Sequence, residues 1–417
     1  MKQRELIVIG GGAAGLFAGA IAAESGIGVT ILEKNSRCGR KIGITGKGRC
    51  NLTNTKPWEE FARHIHPKNI FLKNAFYAMS NTKVMEFFER IGLPLVEERG
   101  NRVFPQSMRA QDVTDTLVKH ITKLGGKIVT ESPVEKINKS DDKELFEVHT
   151  STGKIYTSEY LIIATGGMSY PTTGSTGDGY GFAKSMGHKI TNCFPSLTAV
   201  TPTGYSTAFH NISLKNVELT LCVNGQEIQT EFGDLDFTNG GIEGPIGFKI
   251  SRKAVYNLIN GQKVAVKLDL KPAVSVEQLK KRIEREVAEM GANAQKRIDK
   301  EGTKAIASIL LPKLMPKALI EPFTLANSGM TLQNLPHKLK EWQFQISSYV
   351  GYERSVVTAG GVTLSEVSQK SMESKLVDKL YFAGEVLDLD GDTGGYNLQI
   401  AFSTAALAAQ SIAKKAI

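Results

Sequence analysis

The feature that most constrains this chain is a glycine-rich turn between an apolar strand and a helix near its start. Residues 5–9 form a short apolar run, which predicts a buried strand of a parallel sheet. The next six residues fit the pattern G-x-G-x-x-G. The first glycine makes the tight bend, the second admits a pyrophosphate close to the backbone, and the third lets the helix pack on the strand. The dinucleotide-binding positions predicted by this pattern are Gly10, Gly12, Ala13, Ala14 and Gly15.

A second apolar strand, predicted over 28–32, ends at an acidic residue, Glu33. An acidic side chain about 20 residues after the glycine turn suits the hydroxyl pair of a ribose. The same carboxylate would repel a 2′-phosphate, which favours FAD or NAD over NADP as the resident nucleotide. We also expect the neighbouring Lys34 to contact the cofactor. The alternative is an ordinary glycine-rich turn, and the order strand, turn, helix, strand argues against it.

Length and composition are those of an ordinary globular protein. A chain of 417 residues is long enough for two or three domains. The four cysteines are scattered, with no C-x-x-C pair and no His/Cys cluster at metal spacing, so neither a disulfide framework nor a zinc site is indicated. A reducing cytoplasm is the expected location. The start does not fit a signal sequence, and no segment approaches the roughly 18 uninterrupted apolar residues of a membrane span.

Positive charge is concentrated in one part of the chain. The net charge is +9, and residues 249–340 contain 18 Lys or Arg against 8 Asp or Glu. Such a segment favours a polyanionic partner such as RNA. The alternative is a pair of lysine-rich, solvated helices. Both interpretations stay open, as does the oligomeric state.

The dinucleotide fold is interrupted and resumed along the chain. Apolar spacing predicts helices over 81–91 and 110–124, and a strand over 127–130. Alternating residues around a Ser-Thr-Gly turn predict a hairpin of 146–150 with 154–157. A buried strand over 160–164 then enters a second glycine turn. The cofactor contacts predicted here are Val134, Thr165, Gly166 and Gly167.

The pattern changes between residues 195 and 347. Strands are predicted over 213–223 and 263–270, and helices over 276–290 and 303–311, the first capped by Ser275. We therefore divide the chain into three predicted domains. They are a discontinuous dinucleotide-binding domain of residues 1–194 and 348–417, an inserted β domain of residues 195–274, and a small helical domain of residues 275–347.

The sheet resumes with a strand predicted over 379–383, which leads into a third glycine turn and a final helix. Because the carboxyl ends of parallel strands meet at one edge of a sheet, the three glycine turns are expected to converge there. The N-terminus of the last helix can face the N1–C2=O edge of a flavin, where negative charge accumulates on reduction. The predicted contacts are Gly384, Glu385, Asp392, Gly395, Asn397, Leu398 and Gln399.

Residues 37–54 form a second segment rich in glycine and basic residues. Glycine permits close backbone approach to a ligand, and basic side chains can neutralise a pyrophosphate. The predicted contacts are Arg40, Lys41, Gly46, Gly48, Arg49 and Asn51. Cys50 is a candidate catalytic acid near the flavin, because a thiol beside Arg49 is expected to have a lowered pKa. The alternative is that Cys50 is a small buried packing residue.

Two further groups have ordinary alternatives. The loop at 170–179 either lines the flavin or substrate entrance or is a plain connection. His64, His66, His188 and His210 show no triad or ligand pattern, so we expect them to be surface or structural histidines.

Taken together, these segments resemble the bacterial flavoproteins known as YhiN-like, NAD(FAD)-utilising dehydrogenase or aminoacetone-oxidase-like. The matching segments, which span nearly the whole chain, are residues 10–15, Glu33, 39–41, 48–51 with 53–54, 164–167, 195–197, 358–362, 384–385 and 394–399. The resemblance implies an α/β fold with a Rossmann-type domain of the glutathione-reductase and fumarate-reductase superfamily type, binding FAD non-covalently. It also implies a β-barrel-like insert and a small helical domain.

The chain departs from the family pattern around Lys47, where many relatives have Ser-Gly-Gly-Gly and this chain has Thr-Gly-Lys-Gly at 45–48. The backbone path there is therefore open. The family also has no single substrate. Its members have been associated with bile-acid enone reduction, aminoacetone oxidation and uridine reduction in ribosomal RNA.

We therefore expect an FAD-dependent oxidoreductase that passes hydride from NADH or NADPH, through the flavin, to an activated C=C bond. The chain has no second G-x-G-x-x-G, so a nicotinamide would visit the face that the substrate uses, which implies ping-pong kinetics. The alternative substrate to a small molecule is a uridine base in ribosomal RNA, as for a dihydrouridine synthase. A further alternative is a flavin-binding RNA or membrane-surface module without turnover.

Overall fold

The computed structural model describes residues 5–140 and 145–416. Their contacts divide into two compact units. Unit 1 contains the chain up to Pro195 and again from Tyr352, and unit 2 is Ser196–Gly351. Unit 1 is therefore discontinuous in sequence.

A five-stranded parallel sheet forms the centre of unit 1. In sheet order its strands are Leu380–Phe382, Tyr160–Ile163, Glu5–Ile9, Gly28–Leu32 and Lys127–Val129. Each of them lies within or beside a strand predicted from an apolar run, so these predictions are confirmed. The strand Glu5–Ile9 is central, pairing Val8 with Ile162 on one side and with Ile31 on the other. The glycine turn that follows it thus starts from the middle of the sheet.

Two helices from opposite ends of the chain pack together in the core of unit 1. The first helix, Ala13–Glu24, is almost entirely buried, and the last helix is Tyr396–Ala416. Phe17 on the first helix lies with its ring centroid 4.8 Å from that of Phe402 on the last. Apolar side chains of this size contribute about 1.5–3 kcal/mol each on full burial, so the packing of these helices is a major part of the core.

The other elements of unit 1 surround the sheet. Its remaining helices are Arg40–Ile44, Trp58–Phe61, Asn69–Ala78, Asn81–Arg90, Ala110–Lys123 and Asp178–Ser185. Its remaining strands are Thr53–Asn54, Ile65–His66, Leu95–Glu98, Arg102–Pro105, Val134–Ser140, Leu145–Thr150, Ile155–Ser158, Ile190–Ser196, Val357–Val362 and Asp390–Gly391. The helices predicted over 81–91 and 110–124 and the hairpin predicted over 146–157 are confirmed.

Unit 2 contains a closed six-stranded barrel, which confirms the expected barrel-like insert. Its strands in barrel order are Val200–Pro202, Gly241–Glu243, Gln226–Thr238, Ile212–Val223, Val264–Asp269 and Trp342–Tyr349. The long hairpin of the barrel turns at Asn224 and Gly225, both with positive φ, as the Asn-Gly pair requires.

The helices of unit 2 lie between barrel strands along the chain. They are Gly244–Ile259, Val276–Met290, Ala292–Glu301, Thr303–Ala305, Leu311–Leu314, Lys317–Ala326 and Leu335–Lys340, with a π-helical turn at Ile306–Leu310. The predicted cap is confirmed, because the Ser275 hydroxyl oxygen accepts a hydrogen bond from the Gln278 N–H and the Gln278 side-chain oxygen accepts one from the Ser275 N–H. The separation of a β domain at 195–274 from a helical domain at 275–347 stays a prediction.

Candidate dinucleotide site

The first glycine turn is tightly packed at two positions and open at the third. A Cβ atom on Gly15 would lie 1.8 Å from the Gly10 carbonyl oxygen, and one on Gly10 would lie 2.6 Å from the Ala164 oxygen. At Gly12 no heavy atom lies within 4 Å of the same position. The first helix begins directly after Gly12 and has no side-chain cap, so its first N–H groups remain available. This opening at a helix N-terminus fits a pyrophosphate.

Glu33 is tied to the glycine turn and is 7% exposed. Its Oε2 accepts the Gly11 N–H at 2.8 Å, and its Oε1 accepts the backbone N–H and the Nδ2 group of Asn35 at 2.8 and 2.6 Å. The carboxylate thus stands at the end of the second strand with its position fixed by three donors. This is the place where the sequence predicts a ribose contact.

The basic side chains next to Glu33 are held by protein groups. Lys34 forms an ion pair with Asp178 at 2.6 Å, and Arg40 donates to the Asn35 side chain at 2.8 Å. Asn35 in turn donates to the carbonyl oxygen of Thr173. The loop at 170–179 therefore lies beside the predicted ribose end of the site, and its place at the flavin or substrate entrance stays a prediction.

The three glycine turns lie together, as expected from the order of the strands. A Cβ atom on Gly167 would lie 2.5 Å from Thr358 Oγ1 and 2.9 Å from Glu385 Oε1, which links the second turn to the third. A Cβ atom on Gly384 would lie 2.7 Å from the Ala14 Cβ, which links the third turn to the first. These close approaches explain why glycine occupies the turns.

Glu385 and Lys41 connect the basic segment to the third turn. Lys41 Nζ lies 2.6 Å from Glu385 Oε2, and Glu385 Oε1 accepts the Thr358 N–H at 2.9 Å. In the second turn, Gly166 has a φ of 75°, and Thr165 beside it is partly buried. The pair Lys41–Glu385 therefore lies at the meeting point of the turns, although Lys41 is already neutralised there.

The segment at 45–48 is a 3-10 turn with three consecutive left-handed residues. Gly46, Lys47 and Gly48 have φ values of 55°, 58° and 84°. Lys47 thus adopts the conformation that the glycine of the family pattern would adopt more easily. Val134, by contrast, begins a strand and pairs with Thr150 in the hairpin sheet.

The expectation of a lowered pKa at Cys50 is wrong. Arg49 is turned toward Glu98, which it meets at 3.0 Å, and its guanidinium lies 4.5 Å from the centre of the Phe104 ring. Cys50 itself is fully buried, and burial raises the pKa of its thiol to about 12. Its catalytic role stays a prediction, and the burial supports the alternative of packing.

Amide side chains shape the N-terminus of the last helix. With its amide oriented to satisfy its neighbours, Asn51 accepts the Gly395 N–H at 3.0 Å. Asn397 accepts a hydrogen bond from the Gly391 N–H at 2.8 Å, and the side-chain oxygen of the buried Gln399 accepts one from the Thr53 hydroxyl at 2.6 Å. Leu398 between them is half-buried. Asn51, Asn397 and Gln399 therefore hold the turn in which Gly395 leads into the helix.

A cluster that the sequence analysis missed lies just before this helix. Asp392, predicted to contact the cofactor, is flanked by His64 Nδ1 at 2.8 Å and His66 Nε2 at 3.2 Å. Burial raises the pKa of Asp392, but the hydrogen bonds from the two imidazoles outweigh it and lower the pKa to about 2. The available sequence signal was the His-x-His spacing of His64 and His66. Their partner, Asp392, lies more than 300 positions further along the chain.

The basic segment is partly neutralised within itself. On the helix Val276–Met290, Arg282 and Arg285 each meet a glutamate four residues further on, at 4.0 and 3.9 Å. Lys280 and Lys281 are exposed and form no ion pair with residues in the ranges 5–140 and 145–416. These two lysines are the part of the helix best placed to meet an anionic partner.

The described residues contain neither a metal-binding cluster nor a membrane-spanning helix. No group of three or more His, Cys, Asp or Glu side chains among them is arranged to hold a metal ion. None of the helices described is both long and apolar enough to cross a membrane.

Comparison with known proteins relates the whole chain to flavoproteins. The family model described as HI0933-like protein Rossmann domain matches residues 4–411. The chain is 32% identical over 428 residues to a ribosomal RNA dihydrouridine synthase of Haemophilus influenzae, covering 99% of this chain and 100% of that protein. It is 30% identical over 413 residues to a 3-dehydro-bile acid delta(4,6)-reductase of Clostridium scindens, covering 98% of both.

A solved structure with a similar fold is the 3-ketosteroid delta1-dehydrogenase of Sterolibacterium denitrificans. It aligns over 100% of both chains with a TM-score of 0.50 and 12% sequence identity. At this identity the likeness concerns the fold alone.

Proposed function

Because the chain belongs to the HI0933-like protein family, we propose that this FAD-dependent oxidoreductase reduces an activated C=C bond with hydride from NADH or NADPH. The family match and the reductase relative identify the oxidoreductase class and FAD. The observation that carries the finer proposal is the near full-length similarity to a reductase of an unsaturated bile acid. The glycine turn supports it, because its opening lies at Gly12, where a dinucleotide needs it.

Three groups of this chain would hold the cofactor. The N–H groups that follow Gly12 would bind the pyrophosphate, and Glu33 would accept hydrogen bonds from a ribose. The N-terminus of the last helix, after Gly395, would stabilise negative charge on the flavin pyrimidine edge. When bound, the flavin supplies two-electron chemistry with hydride as the transferred unit.

The nicotinamide donor and the unsaturated substrate would use the site in turn. The sequence contains one G-x-G-x-x-G, at Gly10 to Gly15, and no second one that would build a separate nicotinamide domain. Donor and acceptor would therefore alternate at one face, and we expect ping-pong kinetics.

Purification and stopped-flow absorbance test the proposal. The protein is expected to be yellow and to release FAD on heat denaturation. NADH or NADPH should bleach the flavin anaerobically, and a 3-oxo-Δ4 steroid should restore its absorbance faster than buffer does. A colourless protein that takes up no FAD contradicts the whole assignment. Bleaching without faster reoxidation by any enone contradicts the small-molecule substrate class, and the same result with RNA as well would favour a flavin-binding module without turnover.

Uridine in ribosomal RNA is the second candidate substrate. The observations that favour it are the exposed Lys280 and Lys281 and the similarity to the Haemophilus influenzae protein. Phosphate neutralisation by lysine dominates nucleic-acid affinity. A direct test is mass spectrometry of ribosomal RNA from the wild type and from a deletion strain. At one uridine position the wild-type RNA should be heavier by about 2 Da, the mass of two added hydrogens, and the RNA of the deletion strain should lack this increase.

Charge reversal tests the same candidate in vitro. Lys280→Glu with Lys281→Glu is expected to weaken RNA binding and to reduce the log–log salt slope by about 0.7–0.9 per lost phosphate contact. The control reverses two exposed lysines of unit 1, Lys136 and Lys154. FAD content should stay constant in both variants. Wild-type affinity no tighter than the non-specific range of about 10⁻⁴–10⁻⁶ M would refute the RNA candidate.

A further inference from the structure

The cluster of His64, Asp392 and His66 is fixed by its backbone as well as by its side chains. The short strand Ile65–His66 pairs antiparallel with Asp390–Gly391. The Asp392 N–H then donates to the His64 carbonyl oxygen at 3.0 Å. The carboxylate therefore stands between the two imidazoles without depending on their contacts alone.

One carboxylate serves both rings, with a separate oxygen for each. Asp392 Oδ2 meets His64 Nδ1 at 2.8 Å, and Oδ1 meets His66 Nε2 at 3.2 Å. Because the lowered pKa keeps Asp392 ionised at neutral pH, the ring nitrogens that face it must carry protons. For His64 this leaves Nε2 as the outward nitrogen, and Nε2 forms no hydrogen bond with the part of the chain that the structure describes.

His64 is oriented and still reachable. Its ring stacks on Tyr396 with centroids 4.4 Å apart and planes at 26°, and its side chain is 22% exposed. The charged and titratable groups around it are Asp392, His66, Tyr396 and, beyond Tyr396, Glu60. Burial raises the pKa of Tyr396, followed by repulsion from Asp392 and Glu60, so that phenol stays neutral.

The cluster adjoins the end of the site that holds the redox centre in our proposal. Tyr396, on which His64 stacks, is the first residue of the last helix, and Asp392 lies three residues before Gly395. Neither histidine contacts the first glycine turn in any of the bonds described above. Binding of a pyrophosphate at that turn therefore does not explain why the ionised Asp392 carboxylate is shared by the two imidazoles.

We propose that His64 is the proton donor of the reduction and that Asp392 is its positioning residue. This inference rests on the proposed function. Reduction of a C=C bond needs one hydride, which the proposed function supplies, and one proton. The Nε2–H bond of the imidazolium breaks and a C–H bond forms at the carbon that does not receive the hydride. The neutral imidazole then takes a proton from solvent, which closes the cycle.

The kinetic test separates the two half-reactions. His64→Gln is expected to slow reoxidation by the unsaturated substrate by about 10²–10⁴-fold, while bleaching by NADH and the dissociation constant of FAD stay within about twofold of the wild type. The matched control is His149→Gln, in the hairpin sheet of unit 1, which should change neither half-reaction.

A spectroscopic test on the apoprotein checks the positioning role. Imidazole ¹⁵N spectra of the wild type are expected to show His64 protonated at Nδ1, the nitrogen that faces Asp392, and Asp392→Asn should change the Nδ1 signal. Asp392→Asn should also slow reoxidation.

The outcomes distinguish this inference from the proposed function. If His64→Gln reoxidises at the wild-type rate, or slows both half-reactions equally, His64 is not the proton donor although the reductase stands. If no unsaturated substrate reoxidises the wild type, the reductase proposal fails and the proton donor fails with it. An imidazole spectrum unchanged by Asp392→Asn refutes the positioning role.

Discussion

Glu33→Gln is the substitution that most sharply tests the dinucleotide site. The change keeps the size of the side chain and replaces one carboxylate oxygen by an NH₂ group. In the wild type the two oxygens accept the N–H groups of Gly11 and Asn35 and the Nδ2 group of Asn35. An amide has one oxygen for these donors, and its NH₂ must face at least one of them.

The orphaned N–H group costs about 1–3 kcal/mol, and this cost falls on the free and the FAD-bound protein alike. The change in affinity comes from the ribose, which loses a hydrogen bond to a charged acceptor worth about 1.5–3 kcal/mol. The dissociation constant of FAD should therefore rise about 10- to 150-fold, at 1.4 kcal/mol per factor of ten. A substitution to arginine, Glu33→Arg, should weaken retention further, because a cation offers no acceptor at all.

Titration of FAD into the apoprotein, followed by quenching of flavin fluorescence, measures the effect. Glu284→Gln on an exposed face of unit 2 is the matched control and should bind FAD like the wild type. Urea unfolding of the apoprotein separates a role in holding the turn from a role in binding ribose. An FAD affinity of Glu33→Gln within twofold of the wild type would refute the assignment of Glu33.

Three further predictions concern packing, acid chemistry and pH. Gly15→Ala should abolish FAD retention, because its Cβ would lie 1.8 Å from the Gly10 oxygen; a variant that is as yellow as the wild type contradicts this. Cys50→Ala should leave both half-reactions unchanged in stopped flow, and a selective slowing of reoxidation of about 10²-fold or more would restore Cys50 as the acid. Asp392, whose pKa falls from 3.8 to about 2, should stabilise the fold above about pH 4 and lose that contribution between about pH 4 and 2. Urea unfolding should therefore show Asp392→Asn less stable by about 2 kcal/mol at pH 6, and a gap in unfolding free energy that does not narrow by about pH 2.5 would be the contrary result.

The sequence was most informative where the controlling contacts are local. An apolar run followed by a glycine turn and a helix is determined by neighbouring residues, so the strand Glu5–Ile9 and the first helix could be placed. Ser275 could be assigned as a cap because its partner lies three residues away. The order of the three glycine turns also followed from the parallel sheet.

Side-chain partners were harder to predict because they come from distant segments. Arg49 adjoins Cys50 in sequence but pairs with Glu98, so proximity along the chain gave the wrong pKa direction for the thiol. His64 meets Asp392 only because two short strands pair across most of the chain length. Local pattern carries no information about such contacts.

The discontinuity of unit 1 has a consequence for how the protein is made on the ribosome. The strand Tyr160–Ile163 leaves the ribosome long before its outer neighbour, Leu380–Phe382. At a synthesis rate of about 5–20 residues per second, its edge stays unpaired for about 10 to 40 s. An unpaired edge is a template for association with other chains. The nascent chain is therefore most vulnerable to aggregation while unit 2 is being made, and it can first capture its nucleotide only after the strand Leu380–Phe382 and the last helix have been made.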